Sequence, residues 1–91
     1  MNSNWDSRKS GNKFRGEVNP ETDMPDGRGF KVFANGGAYE GNFQENQMHG
    51  YGRGVAANGN CYEGLFDSNE MHGYGIYLDN QQGKRLEGHW K

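Results

Sequence analysis

The stretch YEGNFQENQMHGYG occupies Tyr39–Gly52, and the nearly identical YEGLFDSNEMHGYG occupies Tyr62–Gly75, 23 residues later. A wider pattern consists of a glycine, two residues, a large apolar residue, one residue and a second glycine. It occurs four times: GNKFRG from Gly11, GGAYEG from Gly36, GNCYEG from Gly59 and GKRLEG from Gly83. Gly-x-Gly signals lie between these copies, at Gly27, Gly50 and Gly73. Two interleaved signals at regular spacing indicate a tandem repeat of about 23–25 residues.

Residues alternate with a period of two inside each copy. Tyr39, Gly41 and Phe43 alternate with polar residues, and the other copies repeat this order of large residue, glycine and large residue. Such alternation is typical of a strand with one buried face. Turn residues separate the strands: Asn46 and Asn69 occupy equivalent positions, and asparagine tolerates positive φ. Each repeat is therefore predicted to form a hairpin.

Successive hairpins are expected to pair edge to edge, which gives an all-β fold: an elongated, single-layer antiparallel meander. Seven strands are predicted, near residues 13–18, 28–34, 38–44, 51–57, 61–67, 74–79 and 85–90. Glycine weakens a strand, so the glycines inside these strands are expected to leave room for aromatic rings lying on the neighbouring backbone. The predicted structural core is Phe14, Tyr39, Gly41, Phe43, Tyr62, Gly64, Phe66 and Tyr77, with Phe14, Tyr39, Tyr62 and Leu86 in register on one face.

Length and composition limit the chain to one small domain. It has 91 residues, of which 31% are hydrophobic and 13% aromatic, and its mean hydropathy is -1.19. Few apolar residues at fixed spacing favour a thin, repetitive structure. We predict an N-terminal tail over residues 1–10 and a repeat array over residues 11–91, with copies near 14–38, 39–61 and 62–85 and a partial copy at 86–91.

The repeat resembles the MORN repeat, whose consensus reads Tyr-Glu-Gly-x-Trp, a turn, and Met-His-Gly-x-Gly. Tyr39–Gly52 and Tyr62–Gly75 match it closely, LEGHWK from Leu86 matches the opening of another copy, and the copy from Phe14 is degenerate. The resemblance implies an elongated sheet that acts as a scaffold or binding surface, as in ciliary radial-spoke heads, junctional membrane proteins and protist cytoskeletal rings. It implies protein subunits as partners, and a cytoplasmic, cytoskeletal location, most specifically a cilium or axoneme.

Catalytic and metal-binding chemistry is not expected. His49 and His72 lie one repeat apart, roughly 9.6 Å in a meander, which is too far for both to bind one metal ion. Cys61 has no partner cysteine, and a lone thiol fits a reducing compartment. A single sheet offers no deep pocket in which carboxylates could be desolvated. The sequence therefore predicts a protein that is not an enzyme, without cofactor or metal.

The charge of the chain argues against nucleic-acid binding and leaves membrane binding as the alternative function. The net charge is -2, and residues 39–80 hold six acidic residues and one basic residue, Arg53. Basic residues gather at the two ends of the chain, and clusters of this kind attract anionic lipids. No secretory signal or membrane-spanning segment is predicted. The alternative is thus a peripheral membrane protein that binds anionic phospholipid or tethers a complex to a membrane.

The strand near residues 85–90 is expected to be an open sheet edge. Open edges favour pairing with another chain, and an exposed indole would forfeit burial energy. Leu86, Gly88 and Trp90 are therefore predicted to lie at an intermolecular contact. The acidic row of Glu40 and Glu63 is the alternative contact surface.

Overall fold

The structure, a computed structural model, describes residues 2–7 and 11–90; for residues 2–7 it gives the backbone alone. The described residues form one antiparallel sheet of eight strands in the order β1 to β8 and contain no helix. The strands are β1 (Asn2–Ser7), β2 (Lys13–Val18), β3 (Pro25–Val32), β4 (Ala38–Gln44), β5 (Gln47–Val55), β6 (Cys61–Asp67), β7 (Glu70–Asp79) and β8 (Lys84–Trp90). Every strand pairs with the next one along the chain, and the sheet is 41 Å long. The predicted all-β, single-layer, elongated meander is confirmed.

Strands β5 and β7 begin earlier than the sequence predicted. Two-residue turns join β4 to β5 and β6 to β7, and their asparagines, Asn46 and Asn69, have φ of 70° and 73°. Because these turns are so tight, pairing continues to the last possible residue, Gln44 with Gln47 in the first hairpin. The Met-His-Gly segments, which the prediction left outside the strands, are thereby part of them.

Strand β1 falls within the segment predicted to be an N-terminal tail. Asn2–Ser7 pairs with β2 through Asn2 with Gly16 and Asp6 with Phe14. Its sequence, NSNWDS, lacks the repeat signals on which the strand prediction depended. The remainder of the predicted tail, residues 1 and 8–10, lies outside the described residues, as does Lys91 at the end of the predicted partial copy.

One face of the sheet, here called the ring face, carries the core. Phe14, Tyr39, Phe43, Tyr62 and Phe66 are buried on it. Their rings form a zigzag of edge-to-face contacts, with centroids 5.1 Å apart for Phe14–Phe43, 5.2 Å for Phe43–Tyr39, 4.9 Å for Tyr39–Phe66 and 5.1 Å for Phe66–Tyr62. Edge-to-face geometry is the one that the ring quadrupoles favour. The core is therefore a single continuous line of rings across the sheet.

A row of seven glycines crosses β2 to β8 on the ring face. The row is Gly16, Gly29, Gly41, Gly52, Gly64, Gly75 and Gly88, each paired with the next. A Cβ atom at Gly52 would lie 2.5 Å from two ring carbons of Tyr39, and one at Gly75 would collide with the Tyr62 ring. A Cβ atom at Gly64 would instead lie 2.5 Å from the Cα atom of Gly75.

The rings therefore rest chiefly on the glycines of the following strand. Gly41 and Gly64, which the sequence analysis singled out, are buried and face backbone and a tyrosine hydroxyl. The glycines that lie directly under ring carbons, Gly29, Gly52 and Gly75, belong to the Gly-x-Gly signals. Tyr39 and Tyr62 also anchor their own strands, since each hydroxyl donates to a backbone carbonyl, that of Asn42 at 2.8 Å and that of Leu65 at 3.0 Å.

Candidate interaction surface

The face opposite the ring face, here called the outer face, is exposed and carries large apolar side chains. Phe30, Tyr51, Leu65, Tyr74 and Leu78 have between 38% and 54% of their surface accessible. They alternate along their strands with the glycines and rings of the ring face, as period two requires. A second sheet or helix layer does not cover them in the described part of the chain.

An acidic row runs across the middle of the outer face. Arg53 on β5 pairs directly with Glu40 on one side and Glu63 on the other, and Glu63 pairs with Ile76, which pairs with Glu87. The predicted alternative contact residues, Glu40 and Glu63, thus lie on one face, in the same cross-strand row and both exposed.

Two tyrosine–glutamate pairs, one repeat apart, distinguish one half of this row. The Tyr51 hydroxyl donates to Glu63 Oε2 at 2.7 Å, and the Tyr74 hydroxyl donates to Glu87 Oε2. Each hydrogen bond to a carboxylate raises the pKa of its tyrosine, because the neutral hydroxyl is the form that donates. Both tyrosines are therefore neutral hydrogen-bond donors over the physiological pH range.

Leu65 and Ile76 fill the space between the two pairs. Tyr51, Glu63, Leu65, Tyr74 and Ile76 line one shallow depression of about 280 Å³ on the outer face. We call these five residues together with Glu87 the tyrosine–glutamate patch. The patch combines an apolar floor with exposed aromatic rings and carboxylates, and this composition suits an extended cationic ligand.

Strand β8 differs from the prediction in one respect. Leu86 is 51% exposed, and a Cβ atom at Gly88 would meet nothing within 4 Å, so both face open space. Trp90, however, packs against the core: its ring lies 6.0 Å from Tyr62 and 5.9 Å from Tyr77, and its Nε1 atom donates to the Gly75 carbonyl at 3.3 Å. The indole is therefore partly covered within the chain, and the intermolecular contact at Leu86, Gly88 and Trp90 stays a prediction.

The register explains the position of Trp90. Gly73 pairs with Trp90 as Gly50 pairs with Phe66 and Gly27 with Phe43, so the indole occupies the place of a core phenylalanine. The sequence contained this signal, because Trp90 stands two residues after Gly88 as Phe66 does after Gly64. Tyr77, predicted as core, is partly buried against the same cluster.

A second depression lies at the hairpin ends of the ring face. It has a volume of about 270 Å³ and includes Phe33, Met48, Val55, Met71 and Tyr77 among its lining residues. Cys61, also in its lining, is a buried free thiol on β6. Three residues that were not predicted as core also pack against it: Phe33, Met48 and Met71.

The described residues contain neither a cluster of metal ligands nor a membrane-spanning helix. In residues 11–90, no three histidine, cysteine or acidic side chains are grouped so that they could hold a metal ion. His49 instead contacts a carboxylate, with Nδ1 3.4 Å from Asp67 Oδ1. None of the described segments forms a helix long and apolar enough to cross a membrane.

Comparison with known protein families agrees with this geometry. The family model described as MORN repeat matches residues 23–38, 39–61 and 62–84. The first match covers β3 alone, whereas the second and third each cover a whole hairpin, β4–β5 and β6–β7. Comparison with curated proteins finds no significant match.

Proposed function

The chain belongs to the MORN-repeat family, and we propose that it is a non-catalytic scaffold, a small subunit that holds other proteins in a larger assembly. MORN repeats are generally protein- or membrane-interaction modules and generally not catalytic. The observation that carries the proposal is the uncovered outer face. Five large apolar side chains are exposed there on a single-layer sheet, and an exposed apolar surface of this kind marks an interaction site.

A cytoskeletal assembly is the specific setting we propose, with a cilium or axoneme as the first place to look. The support is the family resemblance of an elongated repeat sheet to modules of radial-spoke heads. The alternative setting is a membrane surface, where the chain would bind anionic phospholipid. The acidic balance of residues 39–80, six acidic residues against one basic residue, favours protein partners over anionic lipid.

The edge of β8 is the first contact we propose. In the described residues β8 pairs only with β7, so one side of its backbone is available to a strand from a partner. Leu86 and Gly88 leave open space on the ring face beside this edge, and the partly buried Trp90 forms its boundary. A partner strand would extend the line of rings and glycines by one step.

Affinity purification of the tagged full-length protein from its native cells, followed by mass spectrometry, tests the function. We expect a stable multi-protein complex. Binding to vesicles that contain anionic phospholipid, weakened by salt and without any protein partner recovered, would replace the scaffold by the membrane alternative.

The β8 contact has its own test. Leu86→Glu places a charge on an exposed position and leaves Trp90 in the core, so the variant is expected to fold and to lose the partner held at this edge. Met24→Glu, at an exposed apolar position in the turn between β2 and β3, away from both β8 and the outer face, is the matched control. If the Leu86 variant retains the whole complex, the edge is not the contact.

A further inference from the structure

We propose that the tyrosine–glutamate patch binds a proline-rich, arginine-containing segment of a partner protein, in a polyproline II conformation that crosses β5, β6 and β7. The arginines of this segment are three residues apart. The inference rests on the proposed scaffold function and names the chemistry of one partner.

The patch presents exposed aromatic side chains of the kind on which polyproline II segments dock. Tyr51, Leu65 and Tyr74 lie on three successive strands and are 54%, 43% and 46% exposed. Tyr51 pairs directly with Leu65, so the aliphatic side chain lies between the two aromatic ones. Aromatic-lined grooves bind proline-rich segments because the polyproline II helix is already extended and loses little entropy on binding.

Each tyrosine–glutamate pair offers a guanidinium group both a ring and a carboxylate. Tyr51 occupies only Oε2 of Glu63 with its hydrogen bond, and an arginine can stack on the ring while it donates to the carboxylate. The second pair already holds such a group, because Arg85 Nη1 lies 3.3 Å from Glu87 Oε1 beside Tyr74. The chain's own arginine thus shows that the pair accepts a guanidinium, and an arginine of the ligand would take the place of Arg85 on Glu87.

The spacing of the pairs selects the conformation of the ligand. Tyr51 and Tyr74 lie two strands apart, which corresponds to roughly 9.6 Å across the sheet. A polyproline II helix has three residues per turn and rises about 3.1 Å per residue, so side chains three residues apart share one side at about 9.3 Å. In an extended strand, side chains on one side are about 6.6 or 13 Å apart, which fits the two pairs poorly.

Charge complementarity supports a basic partner. Residues 39–80 carry a net charge of -5, from six acidic residues and Arg53. Two bases at the patch oppose the ligand: Arg53 lies directly across from Glu63 at its border, and Arg85 is paired with Glu87. The first repeat has no equivalent patch, because Arg28 stands where Tyr51 and Tyr74 stand in the later repeats.

Two fluorescein-labelled peptides of identical composition test the spacing. Pro-Pro-Arg-Pro-Leu-Arg-Pro-Pro places its arginines three residues apart, and Pro-Pro-Arg-Leu-Arg-Pro-Pro-Pro places them two apart. Fluorescence anisotropy with the full-length protein should show the first peptide binding at least about tenfold more tightly. Equal affinity for the two peptides, or no binding of either, would overturn the proposal.

Variants of the patch test its position. Glu63→Gln and Tyr51→Ala are each expected to weaken binding of the first peptide roughly tenfold, whereas Arg53→Ala should strengthen it a few fold. Glu40→Gln is the matched control, because Glu40 occupies the same row and repeat position without a tyrosine donor. Far-UV circular dichroism verifies that each variant folds. If Tyr51→Ala does not fold, the result for Glu63→Gln decides the outcome.

The proposal and the scaffold function can fail separately. If Glu63→Gln leaves peptide binding unchanged, or if Glu40→Gln weakens it as much, the patch is not the site, although the purified complex can still be intact. If the peptide binds as expected but the native protein recovers lipid and no protein, the scaffold function is wrong and the patch stands as a peptide-binding surface.

Discussion

The centre of the sheet and its β8 end contain the same motif in two different environments. Tyr62 and Gly64 on β6 are buried, with the Tyr62 ring over Gly75. Leu86 and Gly88 occupy the equivalent positions on β8, yet Leu86 is half exposed and Gly88 faces open space. The difference shows that the neighbouring strand, and not the motif itself, creates the core: a ring needs a following strand whose glycine it can cover.

Tyr62→Ala, at the centre of the sheet, should cause the largest loss of stability. The ring is 4% exposed and contacts Phe66 and Trp90, so its removal leaves a cavity and interrupts the line of rings. We expect the free energy of unfolding to fall by roughly 3–5 kcal/mol, as for other large aromatic truncations. Urea denaturation measures it, with Tyr74→Ala, on the outer face, as a control that should lose less than about 1 kcal/mol.

Gly64→Val should be comparably damaging. Its Cβ atom would meet the Cα atom of Gly75 and the carbonyl oxygen of Tyr74, and backbone cannot move aside as a side chain can. Gly88→Val is the matched substitution at the β8 end and should change the urea midpoint little, since nothing lies within 4 Å. Similar midpoints for the two variants would contradict the packing described for the glycine row.

Alkaline pH should destabilise the protein through Tyr39, in the buried centre of the sheet. Burial raises the pKa of Tyr39 from 10.0 to about 12 in the folded protein, while the unfolded chain ionises near the ordinary value. The folded state therefore retains a proton that the unfolded state loses, and the free energy of unfolding should fall as pH rises from about 10 to 12. Urea titrations at successive pH values measure this decline, and the Tyr39→Phe variant should lack this contribution.

Leu86→Ala should have the smallest effect on stability. Half of its surface is already in water, so truncation forfeits on the order of 1 kcal/mol. Thermal denaturation followed by circular dichroism checks this value against Tyr62→Ala. A loss as large as that of the tyrosine would mean that the end of the sheet is as tightly packed as its centre.

The repeat made most of the fold predictable, because strand alternation and glycine spacing are written in the sequence of each copy. Two features could be recognised only once the register of neighbouring strands was known. Trp90 was expected to be uncovered, yet the register seats it beside Tyr62. The Tyr51–Glu63 pair joins residues 12 apart on different strands, and only its repetition as Tyr74–Glu87 could have revealed it.

The glycine row also limits how this chain can change length during evolution. An insertion of one residue within a strand turns every later side chain of that strand to the opposite face and places a Cβ atom beneath a ring. A whole hairpin, by contrast, brings its own two glycines and restores the row. Lineages derived from such a chain should therefore gain or lose material in units of one repeat, with shorter insertions confined to turns such as residues 80–83, where Gly83 has open space around it.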